Sequence, residues 1–342
     1  MTASTSVPTT LQRWQLDAFG RAHLRLSSEP LRQPGPGEVL VQVAAVSLNY
    51  RDLQIVEDRY GFPAQLPLTP SSDLAGRVLA TGPGVTRWAG GEQVISTFFP
   101  GWLDGVAPPA GVHPLGTPGL GVLASHVLFH EDWLVAAPVS LDAAAASTLP
   151  VAGLTAWTAL VEHGPVHPGQ TVLVHGTGGV ALFGVQLARL QGAQVIVVSG
   201  SPDKHDAVRA LGASHVLARD ADWPAEVLRL TGGRGADHVL ELAGGDNLGR
   251  SLRALAPGGH VAYIGTLDGG DFAGLGYELI RTRALLRGVG VGSRRGLEEL
   301  VHAVDASGLT PVVAAQYPAA DLPAAFEHLA RGPFGKVVVR FD

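Results

Sequence analysis

The residues with the clearest chemical potential form a glycine turn within 171–193, where a short apolar strand leads directly into an apolar-striped helix. Gly176 allows a tight turn, Gly178 lets a ligand approach bare backbone, and Ala181 keeps the third position small enough for helix and strand to pack. The free N–H groups at the start of that helix favour an anion. Because a second strand at 194–199 completes a βαβ unit, the segment predicts a dinucleotide-binding turn rather than a merely structural one.

The end of the second strand distinguishes the two forms of a nicotinamide cofactor. An acidic side chain about 20 residues beyond the glycine turn would bind the free ribose of NAD, whereas this strand ends in Ser199 and, two residues on, Ser201, with Lys204 one turn further. The serine hydroxyls can donate hydrogen bonds to a 2′-phosphate, and the lysine ammonium opposes its negative charge. In addition, Ser201 followed by Pro202 resembles an N-cap and the first residue of a helix. The pattern predicts NADPH over NADH, although Asp203 could bind a ribose hydroxyl and Lys204 could be an ordinary helix residue.

Cysteine is absent from the 342 residues, which excludes disulfides, a thiol nucleophile and thiolate zinc sites. Among the 13 histidines, the nearest approach to a metal-binding pattern is His126 and His130, with Glu131 and Asp132 adjacent. Nothing nearby supplies a third ligand at helical or hairpin spacing, so the pair is interpreted as surface residues of a strand. We therefore expect no metal site.

Composition describes a soluble, globular chain. Hydrophobic residues make up 46% and charged residues 16%, which is unlike a disordered chain. The net charge of −6, without any cluster of Lys or Arg, argues against nucleic acid as the main partner. Apolar runs are too short to span a membrane, and the N-terminal segment does not resemble a secretory signal, which predicts a cytoplasmic protein with no membrane partner.

The pattern of strand-like and helix-like segments changes twice along the chain. Short β-branched runs separated by proline and glycine clusters come first, and strands alternating with helices follow an alanine-rich segment that starts near Asp142. The pieces after 292 are too few to form a domain and must complete an earlier one. The predicted fold is therefore α/β, with a Rossmann doubly wound parallel sheet (139–292) inserted into a β-barrel catalytic domain formed by 1–138 and 293–342.

Several segments together resemble the medium-chain dehydrogenase/reductase superfamily, in which a GroES-like β domain is interrupted by a Rossmann domain. They are GPGEVLVQV, SLNYRDLQ, LPLTPSSDLAGRV, TLPVAGLTAWTAL, HGTGGVALFGVQLA, TGGRGADHVLELAGG, LAPGGHVAYIG and FGKVVV. In zinc-dependent members a cysteine, a histidine–glutamate pair and a second cysteine hold the catalytic metal. This chain has Asn49, Ser72 with Asp73, and Val151 at those positions. The resemblance therefore implies the zinc-independent branch, similar to NADPH:quinone oxidoreductases and enoyl reductases.

That branch lines its nicotinamide pocket with an asparagine, an aspartate three residues later and a tyrosine further on. These correspond to Asn49, Asp52 and Tyr60, and Arg51 is a further candidate for stabilising an oxyanion. Each has a structural alternative, since Asn49 could satisfy a buried loop, Asp52 could cap a helix and Tyr60 could be a turn aromatic. The expected cofactor contacts are Thr155, Gly176, Thr177, Gly178, Gly179, Val180, Ser199, Ser201, Lys204, Ala243, Gly265 and Lys336. The aromatic residues Phe98, Phe99 and Trp102 form either a wall of the cleft or part of the core.

A pocket without metal ligands suits the reduction of an activated alkene better than the oxidation of a simple alcohol. The oxidation would need a Lewis acid to stabilise the alkoxide. Hydride transfer to the β-carbon of an enone, quinone or enoyl substrate leaves an enolate that the pocket would stabilise. Two alternatives stay open: a metal-free dehydrogenase of an unusual alcohol, and a non-catalytic NADPH-binding protein, as crystallin relatives of this branch suggest. The resemblance also implies a homodimer, formed through the apolar edge strand at 285–291.

Overall fold

The computed structural model describes residues 8–61, 64–271 and 276–341. The chain divides into a split unit, Met1–Val151 with Gly292–Asp342, and a central unit, Ala152–Val291. The sequence pattern predicts that the Rossmann domain begins after residue 138, whereas residues 139–151 belong to the split unit in the structure. The reason is packing, because the alanine-rich helix buries Ala144 against the sheet of the split unit.

In chain order the strands are β1 (Thr10–Leu16), β2 (Leu24–Pro30), β3 (Glu38–Leu48), β4 (Asp73–Thr81), β5 (Gln93–Ser96), β6 (His126–His130), β7 (Leu134–Ala136), β8 (Thr171–His175), β9 (Gln194–Ser199), β10 (His215–Ala218), β11 (Ala236–Glu241), β12 (Leu255–Tyr263), β13 (Leu285–Gly288), β14 (Val313–Pro318) and β15 (Lys336–Arg340). The α-helices are α1 (Tyr50–Val56), α2 (Ala143–Ala146), α3 (Leu154–Trp157), α4 (Gly179–Leu190), α5 (His205–Ala210), α6 (Trp223–Leu230), α7 (Asn247–Arg253), α8 (Gly276–Thr282), α9 (Arg294–Ser307) and α10 (Leu322–Ala330). Wider π-helical turns, Leu149–Gly153 and Thr158–Glu162, flank α3. Within the described ranges, every helix is too short or too polar to cross a membrane.

A seven-stranded sheet forms the framework of the split unit. Its order is β14-β15-β3-β4-β5-β7, and β6 also pairs with β3. The long strand β3 is antiparallel to β4, β6 and β15. Its two faces are mostly buried, which explains its nearly continuous apolar run. Since β15 pairs with β3, the C-terminal segment completes the sheet that the N-terminal part begins.

A six-stranded parallel sheet forms the central unit, in the order β10-β9-β8-β11-β12-β13. Counted within the unit this is the order 3-2-1-4-5-6 of a dinucleotide-binding sheet, and the predicted Rossmann fold is confirmed. β8 and β9 are buried along nearly their whole length. The strand order runs outward from β8 to β10 on one side and from β11 to β13 on the other, so the direction of the connections reverses between β8 and β11. In such sheets, ligands bind at the carboxyl ends of the strands beside this switch point.

Candidate active site

The glycine turn of the central unit has the geometry of a phosphate-binding loop. Gly176 has φ +83°, a conformation that favours glycine. Gly178 is the N-cap of the 12-residue helix α4, and a Cβ built on either glycine would meet no described atom within 4 Å. Thr177, Gly179 and Val180 complete the turn. Open backbone therefore surrounds a helix N-terminus, where N–H groups favour an anion.

The helix behind this turn packs closely on the sheet. Ala181 is buried, and a Cβ on Gly184, one turn further along α4, would lie 2.3 Å from Cδ1 of Leu240 on β11. Only small residues fit where helix and sheet approach so closely. The small third residue that the motif requires is thus present in the expected place.

The predicted 2′-phosphate residues follow one another at the end of β9. Ser199 is buried, and its hydroxyl oxygen accepts the N–H of Ser201 at 3.1 Å. Ser201 precedes the tight turn Pro202–Lys204, but the expected side-chain N-cap is not formed. The turn is closed instead by the backbone, since the N–H of Lys204 donates to the carbonyl of Ser201 at 3.0 Å.

A buried carboxylate that the sequence analysis missed organises the end of β11. Oε1 of Glu241 accepts hydrogen bonds from the backbone N–H groups of Ala243 (3.0 Å) and Gly244 (3.1 Å) and from the amide of Asn247 (3.0 Å). Oε2 accepts the hydroxyl of Ser251 at 2.5 Å. A carboxylate can be fully buried when its oxygens are satisfied in this way. Glu241 thereby fixes the loop that carries Ala243, a predicted cofactor contact.

Ser251 links this carboxylate to the strand before the glycine turn. Because the proton of Ser251 goes to Glu241, Oγ of Ser251 accepts from Nε2 of His175 at 3.0 Å, which places a proton on that nitrogen. Burial lowers the pKa of His175, and the charge of Glu241 opposes that shift. A buried hydrogen-bonded network therefore joins the ends of β8 and β11.

Two other predicted contacts lie in the same unit. Gly265 follows β12 and donates its N–H to the Glu241 carbonyl at 3.1 Å. A Cβ on Gly265 would lie 2.3 Å from the carbonyl oxygen of Leu242, so only glycine fits there. The loops that carry Ala243 and Gly265 therefore run side by side at the carboxyl edge of the sheet. Thr155 is buried on α3.

In the split unit, the predicted catalytic residues lie at the start of α1. Asn49 is the N-cap, and Oδ2 of Asp52 accepts the N–H of Asn49 at 2.8 Å and the hydroxyl of Ser71 at 3.1 Å. Asp52 is fully buried, and burial raises its pKa to about 6 although the charge of Arg51 opposes the shift. Of the two interpretations of Asp52, the helix-capping one describes this geometry.

Arg51 lies between two aromatic rings. Its guanidinium carbon is 5.0 Å from the ring centre of Tyr60 and 4.9 Å from that of Phe98. Nε donates to the Tyr60 hydroxyl at 3.3 Å and Nη1 to the Leu115 carbonyl at 3.0 Å, while Nη2 has no hydrogen-bond partner in the described ranges. The two N–H groups of Nη2 on this buried cation are thus left for an acceptor oxygen. Edge-to-face packing joins the rings of Phe98, Phe99 and Trp102, with centres 4.7 and 5.7 Å apart.

The structure places Lys336, a predicted cofactor contact, in a buried charged cluster. Lys336 begins β15, is 5% exposed, and donates from Nζ to Oδ1 of Asn49 at 2.5 Å. An ammonium group has no acceptor, so this contact fixes which end of the Asn49 amide faces it. Burial lowers the pKa of Lys336, and the charges of Asp73 and Asp52 oppose that shift.

Asp73 completes the cluster. Its Oδ1 accepts the Ser72 hydroxyl at 2.6 Å, and its Oδ2 accepts the Val151 N–H at 3.2 Å. Burial raises the pKa of Asp73, while the charge of Lys336 and the amide of Asn49 oppose that shift. The three positions that correspond to metal ligands in zinc-dependent relatives therefore converge on one buried site.

The residues at this site do not fit a zinc ion. Zinc ligands are thiolates, imidazoles and carboxylates, so the amide of Asn49, the hydroxyl of Ser72 and the aliphatic chain of Val151 do not qualify. Asp73 supplies one carboxylate, whose two oxygens already accept hydrogen bonds from Ser72 and Val151. Across 8–61, 64–271 and 276–341, no group of three or more such side chains is arranged to hold a metal ion. The cation that the cluster does contain is the ammonium of Lys336.

Two protein-family models match the chain. Residues 35–139 match the alcohol dehydrogenase GroES-like domain, and residues 179–306 match the zinc-binding dehydrogenase family. The first match lies in the split unit, and the second begins at α4 of the central unit.

Similar proteins cover nearly the full length of the chain. A zinc-type alcohol dehydrogenase-like protein from Schizosaccharomyces pombe is 36% identical over 318 residues, which are 90% of this chain and 92% of that protein. A solved structure from Sinorhizobium meliloti 1021, described as a "putative alcohol dehydrogenase", is 48% identical with a TM-score of 0.94 and covers 98% of this chain and 100% of its own. The structure of an NAD-dependent alcohol dehydrogenase is 31% identical with a TM-score of 0.87, over 97% of this chain and 100% of its own.

Proposed function

This chain belongs to the medium-chain dehydrogenase/reductase superfamily, and we propose that it is a zinc-independent member that transfers hydride from NADPH to an activated alkene. The observation that carries this proposal is the buried cluster of Lys336, Asn49 and Asp73. A lysine ammonium lies among the positions at which zinc-dependent relatives place metal ligands. An acceptor whose own conjugation delocalises the developing charge needs no Lewis acid.

The preference for NADPH rests on the residues at the end of β9. Ser199 and Ser201 present hydroxyls where an acidic residue would bind the free ribose of NAD, and Lys204 adds a positive charge. Replacing Lys204 by alanine should weaken NADPH binding by about 1–2 kcal/mol and leave NADH nearly unchanged, as expected for one charge-assisted contact. Titration of both cofactors against the purified protein measures this. An equal loss for both would mean that Lys204 has only a structural role.

Reduced nicotinamide supplies the hydride when it is bound. The electron pair of the alkene then moves to the conjugated oxygen as an enolate, and a proton must reach the α-carbon. In the split unit, the hydroxyl of Tyr60 and the guanidinium of Arg51 are the groups that we assign to that oxygen. A hydrogen bond that strengthens as charge develops lowers the barrier, whereas one of constant strength improves binding alone.

The test begins with NADPH consumption against a panel of quinones, enones and enoyl thioesters. With a substrate from that panel, Tyr60→Phe should lower turnover by at least about tenfold with little change in NADPH affinity, because the ring stays and only the hydroxyl is lost. Tyr50→Phe is the matched control, since Tyr50 is 41% exposed at the start of α1. A change in KM alone would mean that Tyr60 only binds. Full activity of the variant would move the assignment to Arg51, backbone amides or water.

The names of the relatives favour a second candidate, a metal-free NAD(P)-dependent alcohol dehydrogenase. Both the Schizosaccharomyces pombe protein and the NAD-dependent structure carry alcohol dehydrogenase in their names. The same panel, extended to alcohols with oxidised cofactor, separates the two reactions. Turnover of alcohols alone would replace the reductase proposal, and binding of NADPH without turnover of any compound would favour a non-catalytic protein.

We also propose that the chain forms a homodimer through the edge of the central sheet. β13 is the last strand of that sheet, and its residues Leu285 and Leu286 are 63% and 37% exposed. An exposed apolar edge strand invites pairing with a second chain. Pairing with its twofold mate would bury this edge in an interface of the same residues on both chains.

A further inference from the structure

Arg219, which no sequence pattern singled out, lies beside the end of β9. It follows β10 directly, and its N–H donates to the carbonyl of Ser199 at 3.1 Å. A Cβ built on Gly200 would lie 3.6 Å from Cδ of Arg219. The arginine side chain therefore runs along the backbone between Ser199 and Ser201, where the 2′-phosphate is proposed to bind.

The turn that carries Arg219 is held by a second arginine. Arg250 on α7 donates from Nη1 to the Arg219 carbonyl at 3.1 Å and from Nη2 to the Ala221 carbonyl at 2.5 Å. Its guanidinium carbon lies 4.8 Å from the ring centre of the fully buried Trp223. The backbone at Arg219 is thus fixed without help from the Arg219 side chain, which can be replaced without loss of the turn.

The guanidinium of Arg219 pairs with the carboxylate of Asp268. Asp268 lies in the loop after β12, and its N–H donates to the carbonyl of Ala243 at 2.7 Å. In the sheet, β9, β8 and β11 separate β10 from β12, so this one pair connects loops from the two halves of the unit. Both side chains are partly exposed, 52% and 32%, and an ion pair in contact with water is readily exchanged for a stronger partner.

We propose that Arg219 determines the preference for NADPH by binding the 2′-phosphate, and that the phosphate displaces the carboxylate of Asp268 from its guanidinium. This inference rests on the proposed use of NADPH. A guanidinium presents parallel N–H groups that match two phosphate oxygens, and the phosphate carries more negative charge than a carboxylate. NADH, which lacks this phosphate, leaves the pair of Arg219 and Asp268 intact. The loop that contains Gly265 and Asp268 therefore loses one side-chain contact with NADPH and keeps it with NADH, while its backbone hydrogen bonds to Glu241 and Ala243 remain.

Binding of two small nucleotides tests the assignment without turnover. Adenosine 2′,5′-bisphosphate and 5′-AMP, which differ only in the 2′-phosphate, are titrated calorimetrically against the full chain. Arg219→Ala should weaken the bisphosphate by about 10- to 30-fold and change 5′-AMP by less than about twofold. Arg219→Lys should recover part of the loss, since it restores charge without the fork. Arg229→Ala is the matched control, because Arg229 is also exposed and pairs with a carboxylate, on α6.

The exchange of partners has its own readouts. Asp268→Asn should tighten the bisphosphate by about two- to fivefold, because the competing charge is lost, and Glu226→Gln is its control. Hydrogen exchange of the loop 264–271 should become faster with the bisphosphate and stay unchanged with 5′-AMP. Slower exchange of this loop with the bisphosphate, or weaker binding to Asp268→Asn, would overturn the displacement.

The outcomes separate this inference from the cofactor proposal. If the wild-type chain binds the bisphosphate no more tightly than 5′-AMP, the preference for NADPH fails and the role of Arg219 fails with it. If the wild type prefers the bisphosphate and Arg219→Ala keeps that preference, Arg219 is excluded while the use of NADPH stands. Equal losses for both nucleotides in Arg219→Ala would show that Arg219 supports the turn and does not recognise the phosphate.

Discussion

Replacing Lys336 by methionine removes the cation that donates to Asn49 in the buried cluster. Methionine has a similar length and no charge, so the packing around β15 changes little. The carbonyl oxygen of Asn49 loses its hydrogen bond, and Asp73 stays buried without the charge of Lys336, whereas Asp52 keeps that of Arg51. We expect the split unit to lose stability without a change of fold.

The size of the loss follows from these contacts. A hydrogen bond from a charged donor contributes about 1.5–3 kcal/mol, and breaking a buried ionic arrangement by removing one partner costs about 3–5 kcal/mol. Lys336 has no carboxylate oxygen within 4.0 Å among the ion pairs of the described chain, so the lower end applies. We expect the free energy of unfolding to fall by about 3 kcal/mol, equivalent to a decrease in Tm of about 6–12 °C.

Urea unfolding followed by circular dichroism at pH 7 measures this loss. Lys204→Met is the matched control, since Lys204 is the only other lysine in the chain and lies on the half-buried turn after β9. Adding Asp73→Asn to Lys336→Met should restore part of the stability, because one buried charge is removed. The difference from wild type should also shrink as the pH falls towards 4, where the carboxylates become protonated. A loss below about 1 kcal/mol, or no recovery in the double variant, would refute the assignment of Lys336 as the internal cation.

Four further outcomes are expected. Burial raises the pKa of Asp52 to about 6. Its contribution to stability is therefore present below about pH 4 and is lost as the pH rises to about 6. In Asp52→Asn the free energy of unfolding should change less between pH 4 and about pH 6. Burial lowers the pKa of His238 to about 4, so stability should fall as the pH drops from about 6.5 to 4, with a smaller slope in His238→Gln. Elemental analysis should find no stoichiometric zinc, and one tightly held zinc needed for turnover would contradict the assignment to the zinc-independent branch. Sedimentation should show a dimer at micromolar concentration that Leu285→Lys converts to a monomer, whereas a wild-type monomer would exclude the edge-strand interface.

Much of the central unit could be predicted from the sequence because its signals are local. The glycine turn, the apolar strand before it and the striped helix after it lie within 171–193, and each is dictated by neighbours in the chain. Gly176 needs a positive φ, and Gly184 lies where α4 meets the sheet. The alternation of strands and helices also leads to a parallel sheet without knowledge of any distant contact.

The partners of the polar residues were decided only by tertiary structure. Lys336 and Asn49 are 287 positions apart, and only the pairing of β15 with β3 brings them into contact. Arg219 reaches the end of β9 because two parallel strands lie side by side, and it carries no motif of its own. Hydrophobic periodicity and turn residues report on a few neighbouring residues at a time. A buried charge needs a partner, but that partner can come from any part of the chain that the fold brings close. The sequence alone could therefore predict the type of fold and the cofactor class, while the charge partners within the site depended on the folded chain.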